Sequence, residues 1–203
     1  GGGGGAGGYI QKDTQALSDF SGEYTITIGA GGETFSYWNH LSDDSFMDEL
    51  RLFNTALSQS EVQNMINVTN PYEPMYDGET FYMPFDGANT ELISLGMPTV
   101  VGAPTFAGES HDGSNAYLGA TDSYLTYPID GLFGTDAFSA TFWYKVNSTP
   151  DRAGILVVGD DADDRNQGFR LFREGSETEQ RIKVNVGIGD SESWNDGGVI
   201  DVT

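Results

Sequence analysis

The chain contains no cysteine, which removes disulfide staples, thiolate nucleophiles and thiolate zinc sites together. Redox compartment therefore leaves no trace in the sequence. Basic residues are scarce: nine Lys and Arg stand against 31 Asp and Glu, a formal net charge of -22. A field of that sign repels nucleic acid and anionic membrane surfaces, so neither is an expected partner. No apolar run approaches the roughly 20 residues that span a bilayer, and membrane insertion is not expected. The chain opens on Gly1 to Gly5 instead of Met, as expected of an excised segment. Apolar residues make up only 37% of the chain, but 12 Phe, 10 Tyr and three Trp are among them. Large aromatic side chains bury much area each, so a packed core is within reach.

Gly1 to Gly8 brings almost no side chains and specifies no packing. Tyr24, Ile26 and Ile28 then alternate with Glu23, Thr25 and Thr27, the period of a strand with one buried face. Residues 46–53 predict a second strand, with Met47, Glu49, Arg51 and Phe53 on one face and Asp48, Leu50 and Leu52 on the other. That alternation is imperfect and reads as a strand packed on both sides. Ser58 and Glu61 have the spacing of a capping box, and Val62, Met65 and Ile66 share a face of the short helix that follows, ending near Asn67. Pro71 and Pro74 forbid its continuation. Residues 70–79 are the expected linker.

Beyond it come short strand-like runs at Phe81 to Phe85, Thr99 to Val101, Ala116 to Leu118, Tyr124 to Tyr127, Phe138 to Val146, Gly154 to Val158, Gly168 to Arg173 and Arg181 to Val186. Clusters of Gly, Asp, Asn and Pro separate them, the pattern of an antiparallel sandwich. The aromatic run from Phe138 is expected to be central, with Trp143 in the core.

Met47-Asp48-Glu49-Leu50-Arg51-Leu52-Phe53-Asn54-Thr55-Ala56-Leu57-Ser58, closing on Glu61-Val62, resembles the closing segment of laminin G-like, concanavalin A-like domains. Phe81 to Gly87 resembles the opening strand of that family, and Ala116 to Leu125 and Phe138 to Lys145 resemble two strands that follow it. The two ends of the pattern stand in reversed order, and the family's middle strands do not appear before Thr203. The resemblance implies an all-β, antiparallel jelly-roll β-sandwich with one short helix after a closing strand. It further implies tandem copies from a large surface protein of bacterial type. Residues 1–22 would be a lead-in, 23–69 the end of a first copy, 70–79 a linker and 80–203 the front of a second. In the rival reading, a circular permutant, residues 24–66 complete the sheet begun by 81–203.

Calcium is the expected cofactor, in a structural role. Asp160, Asp161, Asp163, Asp164 and Asn166 crowd between two strands, and hard oxygen ligands of this kind suit calcium. A solvated hairpin loop with Arg165 as counter-charge reads equally well. Related sandwiches hold a structural calcium between first and last strands, which implies Asp86, the carbonyl of Gly87, and Asp48. If these belong to different copies, each copy holds half of the site. For ligands, Trp194 and Asn195 stand in a polar, Gly-rich stretch, and Tyr37, Trp38 and Asn39 form a similar set. Either could stack on a sugar ring.

Catalysis is not expected. Paired carboxylates arise by chance among 31 acids, no glucanase-type strand is present, and His40 and His111 have no Ser or Cys partner at a recognisable spacing. Asn67-Val68-Thr69 and Asn147-Ser148-Thr149 match the glycosylation triplet, a motif too short to carry weight. The expected function is a non-catalytic adhesion module, extracellular or on the cell surface, recognising glycans or partner proteins beside neighbouring copies of itself. The alternatives are a carbohydrate-binding accessory module of a polysaccharide-degrading enzyme and a spacer repeat of a surface fibre.

Overall fold

The computed structural model describes residues 25–29, 45–66, 76–128, 137–145, 152–159, 169–176, 178–187 and 194–201. Twelve strands and one helix occupy them: β1 (Thr25–Ile28), β2 (Phe46–Phe53), α1 (Gln59–Met65), β3 (Glu79–Met83), β4 (Thr99–Val101), β5 (Thr105–Gly108), β6 (Ala116–Leu118), β7 (Tyr124–Pro128), β8 (Ser139–Lys145), β9 (Arg152–Gly159), β10 (Phe169–Gly175), β11 (Gln180–Gly187) and β12 (Trp194–Asp201). They form two antiparallel sheets. One has seven strands in the order β12-β11-β10-β9-β1-β7-β4; the other runs β3-β2-β6-β5, with β8 paired to β2.

Pairing runs across the 70–79 stretch in both sheets. β1 lies between β7 and β9, with Ile26 opposite Tyr127 on one side and Val158 on the other. β2 takes β8 along one edge, while β6 and β3 pair with its first and second halves. β1 and β2 have strand partners on both edges, so they are interior elements of sheets otherwise built from residues after 76.

The core lies between the sheets. Ile26, Ile28, Leu125, Tyr127, Ile155, Leu156, Val158 and Phe169 come from the seven-stranded layer, and Met47, Leu50, Leu52, Phe81, Met83 and Tyr117 from the other. Phe81 meets Tyr127 edge to face across the layers, ring centroids 5.1 Å apart, and Phe138 stacks on Phe169 at 4.4 Å. The Tyr127 hydroxyl, drawn into this core, donates to Asn89 O at 2.7 Å, so the ring is buried without orphaning its polar end.

The capping box expected at Ser58 is present: Glu61 N–H donates to Ser58 Oγ and Ser58 N–H to Glu61 Oε2 at 2.7 Å. α1 itself buries no residue fully; Val62 and Met65 are half-buried and Ile66 is exposed. β8 departs from expectation. Among the described residues it pairs with β2 alone, none of its side chains is fully buried, and Trp143 is half-buried instead of a core residue.

Candidate functional site

The imperfect alternation in β2 has a structural cause. Asp48 faces Trp143 and Arg51 faces Thr141 across β8, so β2 spends one residue more than its partner over this interval. That is a β-bulge. Glu49 lies in it with φ 54°, a left-handed conformation that a non-glycine residue adopts at a cost. The slip moves Met47 and Leu50, three apart, into the same core and leaves Asp48 and Arg51 buried but polar, each 3% exposed.

Arg51 is compensated. It donates to Glu79 at 2.7 Å and to Glu49 at 3.4 Å, and its guanidinium lies 3.6 Å from the centre of the Tyr82 ring. The Tyr82 hydroxyl donates to Glu49 at 3.0 Å. Burial raises the Glu49 carboxyl above the usual range, and Arg51 opposes that shift. Burial likewise pushes the Tyr82 phenol well up, with the Glu49 charge adding to it.

Asp48 is not compensated in this way. Its Oδ2 accepts the main-chain N–H of His111 at 2.8 Å, while Oδ1, fully buried, has no hydrogen-bond partner. Burial pushes its pKa from 3.8 to about 7; the His111 N–H pulls against this, and the charges of Glu49, Asp112 and Asp86 push further up. A buried carboxylate oxygen without a donor is costly. It marks where a cation or a proton would sit.

Asp86 reaches this locality from the chain after β3. Phe85 has φ 64° and Gly87 φ 80°, and Gly87 N–H donates back to Phe85 O at 2.7 Å, turning the chain tightly around Asp86. The fully buried Phe85 ring anchors the turn, 5.6 Å from Tyr117 and 6.4 Å from Phe106. A third carboxylate comes from the loop between β5 and β6. There Asp112 Oδ1 accepts from Ser114 N at 2.9 Å and Ser114 Oγ at 2.6 Å, and the Ser114 contacts hold its carboxyl below the usual range. Ser114 Oγ also contacts Asp86 Oδ1. One hydroxyl carries one proton, so it cannot donate to both carboxylates at once.

The same loop places His111 flat against Trp143, ring centroids 3.7 Å apart and planes 9° from parallel. Among the described residues, no three His, Cys, Asp or Glu side chains form a ready metal-ligating group. Calcium also accepts hydroxyl and carbonyl oxygens; the carboxylates of Glu49, Asp112 and Asp86 act electrostatically on Asp48, and the Ser114 hydroxyl contacts Asp86 and Asp112.

Of the residues singled out in the sequence, Asp48 and Asp86 are thus brought into one electrostatic neighbourhood, with Gly87 beside them. Asp112, Ser114 and His111 were not anticipated; the turn-forming run Ser110-His111-Asp112-Gly113-Ser114 was the available signal. Trp194 and Asn195 open β12, paired with Gly187 and Val186 of β11, so their Gly-rich stretch is an edge strand of the seven-stranded sheet. Tyr37, Trp38 and Asn39, and the whole acidic set Asp160, Asp161, Asp163, Asp164 and Asn166, lie outside the described residues.

Fold and site together define an all-β protein of two antiparallel sheets with a buried, undercompensated aspartate in a bulged interior strand. Comparison with protein-family models, with curated proteins and with solved structures finds no match for the chain.

Proposed function

We propose that this chain is a non-catalytic binding module of the jelly-roll, concanavalin A-like kind, displayed outside the cell, in which a calcium ion at Asp48 and Asp86 fastens the rim. The observation that carries the reading is the buried Asp48 Oδ1 without a hydrogen-bond donor, within the electrostatic reach of Asp86 and Asp112. Calcium supplies two positive charges to oxygens that otherwise repel one another. Ser114 Oγ, between Asp86 and Asp112, adds a neutral oxygen, and the Gly87 carbonyl is the further ligand that the resemblance to laminin G-like domains implies.

Asp48 precedes the 70–79 stretch and Asp86 follows it. An ion held by both ties together two chain segments that already share a sheet through β2 and β3. Such an ion stabilises a scaffold; the rim loops then carry the recognition of glycans or partner proteins. The excess of acid over base, 31 to nine, suits a calcium-bearing surface module and disfavours anionic partners.

Calorimetric titration of calcium into the metal-stripped chain, with a melting curve at each end point, tests the reading. Saturation to 100 times the dissociation constant stabilises a one-site protein by about 2.7 kcal/mol. Heat of binding with a raised melting temperature is the expected result; neither heat nor shift sinks the cation site.

A further inference from the structure

We propose that the outward face of the His111 imidazole, backed by Trp143, is a stacking platform for the ring of a neutral saccharide. This rests on the binding-module reading above and names the ligand class that the rim would take.

His111 is exposed although one face of its ring is covered by Trp143, so solvent reaches what the indole leaves open. The two rings are nearly parallel, at 9° and 3.7 Å, which presents a flat π surface at the rim. The platform is held from below. Trp143 belongs to β8 and faces Asp48 across the sheet, and the His111 main chain donates to that same Asp48. One turn further on, Gly113 N–H donates to Ser110 Oγ at 2.8 Å and Ser114 N–H to Asp112 Oδ1 at 2.9 Å, closing the loop locally. An exposed aromatic fixed in this way has lost its rotamer freedom during folding, so little remains to be lost on binding.

The surroundings select the ligand class. The C–H face of a pyranose packs on a flat ring, and its hydroxyls find acceptors in Asp112 and the serines of the loop. A net charge of -22 disfavours sulfated, phosphorylated or uronic ligands and nucleotides. The other class attracted to an acidic aromatic surface is a cation such as an arginine side chain. Cation recognition favours Trp, Tyr or Phe as the outer ring, whereas here the outer ring is an imidazole and the indole of Trp143 lies covered behind it. The geometry therefore favours the neutral sugar.

The test uses the 203-residue chain in calcium, screened against an array of neutral mono- and oligosaccharides and an arginine-rich peptide, with the strongest glycan followed by titration. His111→Ala removes the ring but keeps the main-chain donor to Asp48, so calcium affinity is expected to stay unchanged and the melting temperature to fall by no more than about a few degrees, the loss of one stacked pair. Glycan affinity is expected to fall about tenfold or more, and His111→Phe, which restores a flat ring, is expected to recover it. No neutral glycan bound, binding indifferent to His111→Ala, or the arginine-rich peptide captured in place of sugar each overturns the proposal. Absence of calcium binding with His111-dependent glycan binding retained removes the cation reading and leaves the platform standing. Calcium binding without a glycan does the reverse.

Discussion

His111 and Asp48 are 63 residues apart in sequence, yet the main-chain N–H of the first donates to the buried carboxylate of the second at 2.8 Å. The bond joins an exposed loop to the bulged strand at the interior of the smaller sheet. Through it the loop between β5 and β6 is tied to the β2 bulge and holds down the pKa of Asp48 against burial.

Asp48→Asn is expected to abolish the calcium-dependent rise in melting temperature. The amide keeps the side chain's volume and an oxygen for the His111 N–H, while removing the charge that attracts the ion. The same substitution is expected to leave the metal-free protein at alkaline pH as stable as the wild type or more so, because it withdraws an uncompensated buried charge. Melting curves of both proteins with calcium and with chelator measure both effects.

The pH dependence follows from the sign of the Asp48 shift. Its pKa is raised from 3.8 to about 7 in the folded protein, so the folded state binds the proton more tightly than the unfolded chain. This contribution is full below pH 3.8 and is lost as pH rises toward about 7. Metal-free protein is expected to lose stability across that window, and Asp48→Asn to flatten this part of the profile. Calcium competes with the proton, so its affinity is expected to increase from pH 6 to pH 8 and binding near neutrality to release protons, readable by calorimetry in buffers of different ionisation enthalpy. Glu49, also raised by burial, acts in the same direction.

Glu91 is expected to be a strong stability determinant away from the site. Its carboxylate, 1% exposed, accepts from Tyr82 N at 2.9 Å, Ile93 N at 2.7 Å, Ser94 N at 2.6 Å and Ser94 Oγ at 2.5 Å. Glu91→Ala leaves the buried Tyr82 donor without a partner and loosens the turn that carries Leu95 at φ 58°. A loss of about 2–4 kcal/mol in urea unfolding is expected, with calcium affinity unchanged.

Cleavage between residues 67 and 75 is expected to leave the two fragments associated. β1 and β2 pair on both edges with strands that follow residue 76, and their side chains Ile26, Ile28, Met47, Leu50 and Leu52 lie within the common core. A protease site placed there, followed by gel filtration, distinguishes shared sheets from two independent parts. Separation of the fragments in native buffer would refute the shared sheets.

The bounds of β2, β4 and β6 were legible to the residue in the sequence, and so was the capping box of α1. β5 and β12 were not. Gly108 closes β5, and Gly197 and Gly198 stand within β12; glycine weakens the local strand signal, and pairing with β6 and β11 supplies what composition does not. The resemblance pointed to Asp48 and Asp86 from the two ends of a family pattern. Asp112, Ser114 and His111 stayed hidden because their roles arise from contacts far along the chain.

The sequence by itself determined the class of structure: period-2 strands, punctuation by Gly, Pro, Asn and Asp, one capped helix and a heavy surplus of acid. These are local or additive properties, carried by neighbouring residues or by composition. Tertiary structure alone decided that β1 and β2 enter sheets made by later residues, that Glu49 takes the bulge and so turns Asp48 into a buried carboxylate, and that Trp143 backs a surface histidine instead of filling the core. Those outcomes depend on which strands pair and at what register. One extra residue in β2 shifts every side chain beyond it to the other face, and the main-chain donor that opposes the raised pKa of Asp48 comes from His111, 63 residues along the chain.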